Sequence, residues 1–244
     1  MSNMKKTIAV LFSAALCLAW EAPSQAGSIS VVSDPGTTTF VDGITWFDTT
    51  GAQMTGMEVT ATFSTGFTQT AFWATTGASS GHVLGTDWSI TEASTTRFNN
   101  WVVNHSRAGT LDRLLFDGIP GGTVFDRTFG GSDGTPNSAS GQDFLPTLGH
   151  GPLDLLATYR DVIAVIGDAA VDDVYRFLDI NFAATGNSGL ASGVTLMYRA
   201  DTDNTGVDDP PGVVPEPSSL ALLGIGSVGL MLAGVRRRRK QTTA

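Results

Sequence analysis

Several residue patterns in the sequence could do chemistry. Gly77-Ala78-Ser79-Ser80-Gly81 has the G-x-S-x-G form of a nucleophile elbow, a strand-to-helix turn that exposes its serine. A strand can precede it, but His82-Val83-Leu84-Gly85 has no helical pattern, so the match reads as small residues in a turn. The histidines, His82, His105 and His150, share no metal-ligand spacing. Asp201-Thr202-Asp203-Asn204-Thr205-Gly206 starts like an EF-hand loop, but Gly212 stands at position 12, where a bidentate glutamate completes the cage. That stretch reads as an acidic linker, with Asp201 and Asp203 as weak calcium candidates. Asp172-Asp173 and Asp208-Asp209 read as solvated charge. These patterns assign no catalytic residue, no cofactor and no firm metal site.

Aromatic residues offer a second chemistry. Beyond the N-terminal segment stand Trp46, Trp73, Trp88 and Trp101. A flat ring stacks on the apolar face of a sugar while neighbouring amides or carboxylates bond its hydroxyls. Trp88 lies beside Asp87, and Trp101 lies near Asn99, Asn100 and Asn104, so Trp88, Trp101 and Asn100 are glycan-binding candidates against a background of core packing. Thr37-Thr38-Thr39 is not part of any regular threonine ladder.

The elements that would hold such residues are strands. Met57 to Phe63 alternates apolar and polar residues without a fault. Further candidates are 29–32, 44–47, 69–75, 98–103, 123–129, 162–166, 178–182 and 194–200. Asp42-Gly43, Asp117-Gly118, Gly121-Gly122, Asp133-Gly134 and Asn187 to Gly189 supply turns between them. Helical spacing is confined to the short runs Leu111 to Phe116 and Leu153 to Tyr159. Such a chain predicts an all-β domain, a β-sandwich or jelly roll, over residues 27–200. Gly130 to Gly141 reads as an exposed insertion, and 201–213 as an acidic, proline-rich linker.

The two ends speak about address. Lys5 and Lys6 precede an apolar run from Ile8 to Trp20, and Ser24 and Ala26 occupy the −3 and −1 positions of a cleavage site before Gly27. This order defines a secretory signal peptide over residues 1–26, cut by signal peptidase. Leu16 before Cys17 argues against a lipobox, and Cys17, the single cysteine, leaves with the signal. No disulfide then staples the exported domain.

At the other end come Val214-Pro215-Glu216-Pro217, an apolar stretch from Leu220 to Val235, and Arg236, Arg237, Arg238, Arg239 and Lys240. The stretch predicts a short membrane helix over 220–235. Its five adjacent cations fix it with the tail inside and the ectodomain outside. The tripartite order of residues 214–240 closely resembles the PEP-CTERM sorting signal of Gram-negative bacteria, a tail also described as an ice-binding-protein C-terminal domain. The resemblance implies processing by exosortase near the prolines after transient anchoring in the inner membrane. It also implies association with exopolysaccharide and biofilm.

Charge narrows the partners. Seven of the 14 basic residues lie in the terminal segments, as do Glu21 and Glu216 of the 23 acids. The stretch between carries seven arginines, no lysine and 21 acids, a net charge of −14. Such a surface repels nucleic acid. The sequence therefore predicts an exported, exosortase-sorted, non-enzymatic protein of the cell surface or extracellular matrix that engages exopolysaccharide. A secreted glycosidase-like hydrolase built from distant carboxylates is the alternative, and an ice-binding adhesin a lesser one.

Overall fold

The computed structural model describes residues 27–45, 49–127, 134–138, 141–151, 153–184, 186 and 188–206. Ser24, Ala26, Trp46, the Val214–Pro217 motif, the apolar stretch 220–235 and the cations 236–240 lie outside the described residues. Among the described residues no helix is long and apolar enough to cross a membrane.

The described chain is all-β. Its strands are β1 (Ile29–Asp34), β2 (Thr39–Val41), β3 (Ile44–Thr45), β4 (Glu58–Phe63), β5 (Thr68–Thr75), β6 (Gly81–Gly85), β7 (Trp88–Glu92) and β8 (Trp101–His105). They continue with β9 (Thr110–Asp117), β10 (Thr123–Asp126), β11 (Leu145–Leu148), β12 (Leu155–Val165), β13 (Val174–Asn181), β14 (Leu190–Ala191), β15 (Leu196–Arg199) and β16 (Asp201–Thr205). The main hydrogen-bonded path runs β11-β15-β8-β7-β6-β5-β4-β9-β13-β10-β16-β3. β12 adds to β13, and β1 and β2 lie parallel to β12.

The expected pair of packed sheets is instead one open, curled, mainly antiparallel sheet. Ring contacts demonstrate the curl. Trp101 on β8 sits 5.7 Å from Phe116 on β9, although four strands separate β8 from β9 along the sheet. Phe63 on β4 likewise meets His105 on β8 at 5.5 Å. The concave face thus closes on itself and gives the interior of a sandwich without breaking the ladder of backbone bonds.

Alternation explains which residues line that interior. Val59, Ala61 and Phe63 of β4 are buried and the residues between them are not. Trp73 and Trp101, the largest buried side chains, satisfy their indole N–H groups on backbone carbonyls. Trp73 donates to Gly51 at 2.7 Å and Trp101 to Ala200 at 3.0 Å. Gly81 is required beside them: a Cβ there would lie 2.1 Å from both the Gly51 carbonyl oxygen and Trp73 Nε1.

The two runs with helical spacing are strands, and the first shows why the pattern misled. The β4–β9 register shifts between Thr62 and Phe63, which pair with Arg113 and Leu111. This bulge sends Leu111 and Leu114 to the same buried face although they are three apart. Leu155, Ala157 and Tyr159 alternate inward on β12 in the ordinary way. The linker expected from Asp201 is also corrected. Asp201–Thr205 is a strand held between β10 and β3, and the compact unit runs to Thr205. Within the stretch expected as an exposed insertion, Thr135, Ser138 and Gly141 are buried.

Replacing Trp101 with alanine is expected to destabilise the protein by about 3–5 kcal/mol, the cost of a large core cavity. Urea unfolding should show it as a lower midpoint with an unchanged slope.

Candidate functional site

The antiparallel pairing of β10 with β16 sets Asp126 opposite Asp201 and Val124 opposite Asp203. Directly opposed residues share a face, and residues two apart on a strand do too. Asp126, Asp201 and Asp203 therefore converge on one side of the sheet. Each offers a carboxylate oxygen within 4.8 Å of the other two, and their exposures are only 0%, 3% and 6%.

Asp173 adjoins this group, because Val174 pairs with Asp126 and the Arg127 amide donates to the Asp173 carbonyl at 3.1 Å. Asp173 is 2% exposed. One tight turn ties it to the cluster: the Thr135 amide donates to Asp173 Oδ2 at 2.6 Å, and the Ser138 hydroxyl donates to Asp203 Oδ2 at 2.6 Å. The Ser138 amide closes the turn on the Thr135 carbonyl at 2.9 Å. Glycines let the covering backbone approach this closely. A Cβ on Gly141 would lie 2.2 Å from Asp126 Oδ1, and one on Gly134 would lie 2.7 Å from Asp173 Oδ2. On the other flank, Thr96 Oγ1 and the Thr202 amide each donate to Asp201 Oδ1 at 2.9 Å.

Charge makes this arrangement costly when fully ionised. Two carboxylates at about 4.8 Å repel by about 3 kcal/mol at an effective dielectric constant near 20. The protein responds by holding protons. Burial first, then the fields of Asp203, Asp173 and Asp201, pushes the Asp126 carboxyl up to about 9. Burial and Asp203 push Asp201 up to about 7, against the opposing pull of Thr96, the Thr202 amide and Arg97. The site can store protons or hold a cation with oxygen ligands.

The glycan candidates land elsewhere. Trp101 is 0% exposed and sandwiched by protein, 5.1 Å from Trp73 and stacked on Tyr198 at 5.9 Å. It has no face to offer a sugar. Trp88 is buried too and donates to Gln69 Oε1 at 2.9 Å. It nevertheless borders an open depression of about 320 Å³ with Asp87, Ser89, Asn104, Ser106 and Gly193. Asn100 is half-buried and accepts a bond from Thr147 at 2.9 Å. Ser79 lies in the turn from β5 to β6, where a strand follows in place of a helix. His82 and His105 fall on different strands, and His150 follows β11.

Asp201 and Asp203, the weak calcium candidates, are brought together on a strand where the sequence reading expected an acidic linker. Asp126, Thr135 and Ser138 escaped sequence reasoning, and Asp173, expected as solvated charge, is buried. The legible signal was alternation itself: Asp201 and Asp203 stand two apart in a stretch rich in β-branched residues, which puts both on one face if that stretch is a strand.

The comparisons with known proteins address the other end of the chain. Residues 213–240 match the PEP-CTERM protein-sorting motif. The chain carries an exosortase sorting signal. No curated protein and no solved structure matches the chain.

The raised carboxyls of the cluster fix a pH dependence. Unfolded, Asp126 and Asp201 ionise near their ordinary value of 3.8, whereas in the fold they hold protons up to about 9 and about 7. The folded state then binds more protons between these limits, so its stability is full below pH 4 and falls as pH rises toward 9. Each group kept protonated contributes a slope of about 1.4 kcal/mol per pH unit. In chelator-treated buffer the melting temperature should decline between pH 5 and 9. Asp126→Asn should flatten that decline and raise the melting temperature at pH 8.

Proposed function

We propose that the protein is exported, parked briefly in the inner membrane, cut by exosortase, and delivered as a non-enzymatic component of the cell surface or extracellular matrix that associates with exopolysaccharide. The observation that carries this reading is the sorting motif at 213–240, which begins only after the folded β-unit ends at Thr205. An address placed beyond the last strand of the described residues can be removed without cutting into any of those strands. Pro215 and Pro217 lack amide donors, and a residue before proline disfavours the helical region, a sequence that suits a segment a processing enzyme must grip.

Two features of the β-unit favour binding over hydrolysis. A glycosidase sets two carboxyl groups along an open cleft with room for a sugar between them. Among the described residues, the converging acids Asp126, Asp201 and Asp203 are instead buried beneath the Thr135–Ser138 turn. The depression beside Trp88, by contrast, is open and offers Asp87, Ser89, Asn104 and Ser106 to hydroxyl groups. Ice adhesion draws less support. Thr60 and Thr62 face Thr70 and Thr68 across β4 and β5, but the next strand places Leu115 and Arg113 in the same rows.

Comparing cells with and without exosortase tests the delivery. With the enzyme, the mature C-terminus should fall near Pro217 and the protein should leave the inner-membrane fraction. An intact Ala244 terminus and the same location in both strains would defeat the proposal. Sugar engagement is tested separately on an exopolysaccharide array, where Asp87→Ala with Asn104→Ala should weaken binding about tenfold, the loss of one or two hydrogen bonds.

A further inference from the structure

We infer that Asp126, Asp201 and Asp203 form a calcium-binding site on the β10–β16 pair. The inference goes beyond sorting and does not depend on it.

The geometry is that of ligands gathered around one ion. Calcium takes six to eight oxygen ligands at about 2.3–2.6 Å, so oxygens on opposite sides of the same ion stand about 4.8 Å apart. The three carboxylates offer oxygens within 4.8 Å of one another. They come from adjacent strands, so the rigid sheet supplies the spacing and a flexible loop does not have to find it.

A second observation points to a missing partner. Asp173 is 2% exposed, yet its Oδ1 accepts no hydrogen bond, and the hydroxyl of buried Thr135 makes none. Asp173 is tied to the turn that donates to Asp203: the Thr135 amide bonds Asp173 Oδ2 while Ser138 bonds Asp203 Oδ2, and the Asp173 charge is felt at Asp126. A buried acceptor left without a donor costs as much as a lost hydrogen bond. A cation at the cluster answers this by taking oxygens from the acids and from the turn together. Arg97 acts on Asp201 but brings one positive charge to a group of four acids. A divalent ion neutralises more, and it binds oxygen at shorter range than a guanidinium does.

Selectivity follows from ligand type and reach. All donors here are oxygens, and His105, the buried histidine, bonds instead to the Leu190 carbonyl at 2.9 Å. Oxygen-only sites favour calcium or magnesium over zinc or copper. Magnesium demands ligands at about 2.0–2.1 Å in near-ideal octahedral order and gives up its water reluctantly. Carboxylates set apart by sheet spacing suit the larger, more permissive ion. Binding also displaces protons, because the ion needs the acids ionised.

The test uses the full chain in detergent, stripped of metal over a chelating resin. At pH 8, calcium at ten times its dissociation constant should raise the melting temperature by about 3–6 °C, with a smaller rise from magnesium. Titration calorimetry in buffers of different ionisation enthalpy should show about one proton released per ion. Asp203→Asn, which keeps the Ser138 bond, should abolish the calcium response. Asp126→Asn should melt higher than the metal-free parent and still not respond. Asp168→Asn, an exposed change, should respond like the parent. The inference fails if calcium leaves the melting temperature unmoved, if magnesium acts equally, or if the response survives in Asp203→Asn.

Discussion

β10 and β16 bring together residues about eighty positions apart, and much of the rest of the structure depends on that pairing. It inserts the final strand between β10 and β3, where a free acidic tail would otherwise begin. Ala200, just before β16, receives the Trp101 indole N–H, so the same closure satisfies the polar atom of the most central ring. The pairing also forces Asp201 and Asp203 inward beside Asp126. Backbone hydrogen bonding and core closure thus confine three carboxyl groups that water would otherwise solvate.

The curl of the sheet resolves a general problem of large antiparallel sheets. A flat sheet this wide would expose long rows of apolar side chains, whereas curling lets its concave face pack against itself. Trp73, Trp101, Phe116 and Tyr198 form the seam where distant strands meet. Because their rings are committed to that seam, they are lost to ligand recognition. Trp88 shows the intermediate case, buried in its body but bordering an open polar depression. A tryptophan in a β-protein must first be placed in the sheet before its neighbours in sequence mean anything.

The sorting motif and the candidate sites lie on different parts of the chain. The C-terminal motif is an address, and the β-unit holds the aspartate cluster and the depression beside Trp88. The two lie apart in sequence: the last strand among the described residues ends at Thr205, and the motif begins at residue 213. The aspartate cluster lies at that final strand. Its charge state therefore bears directly on how firmly the last strand is held.

Features encoded by neighbouring residues were legible in the sequence. Met57 to Phe63 announced β4 because alternation is a property of one strand alone. The sorting tail was readable because its order of prolines, apolar run and cations is linear. Leu111 and Leu114 misled because a bulge, which depends on the partner strand, gave a strand the spacing of a helix. Tertiary structure alone decided that Trp101 is core, that Asp201 begins a strand, and that Asp126 and Asp173 join it. The reason is that pairing and register are set by contacts between segments far apart in the chain. A list of residues in order states what each segment prefers, but which segments lie side by side is settled only when the whole sheet closes.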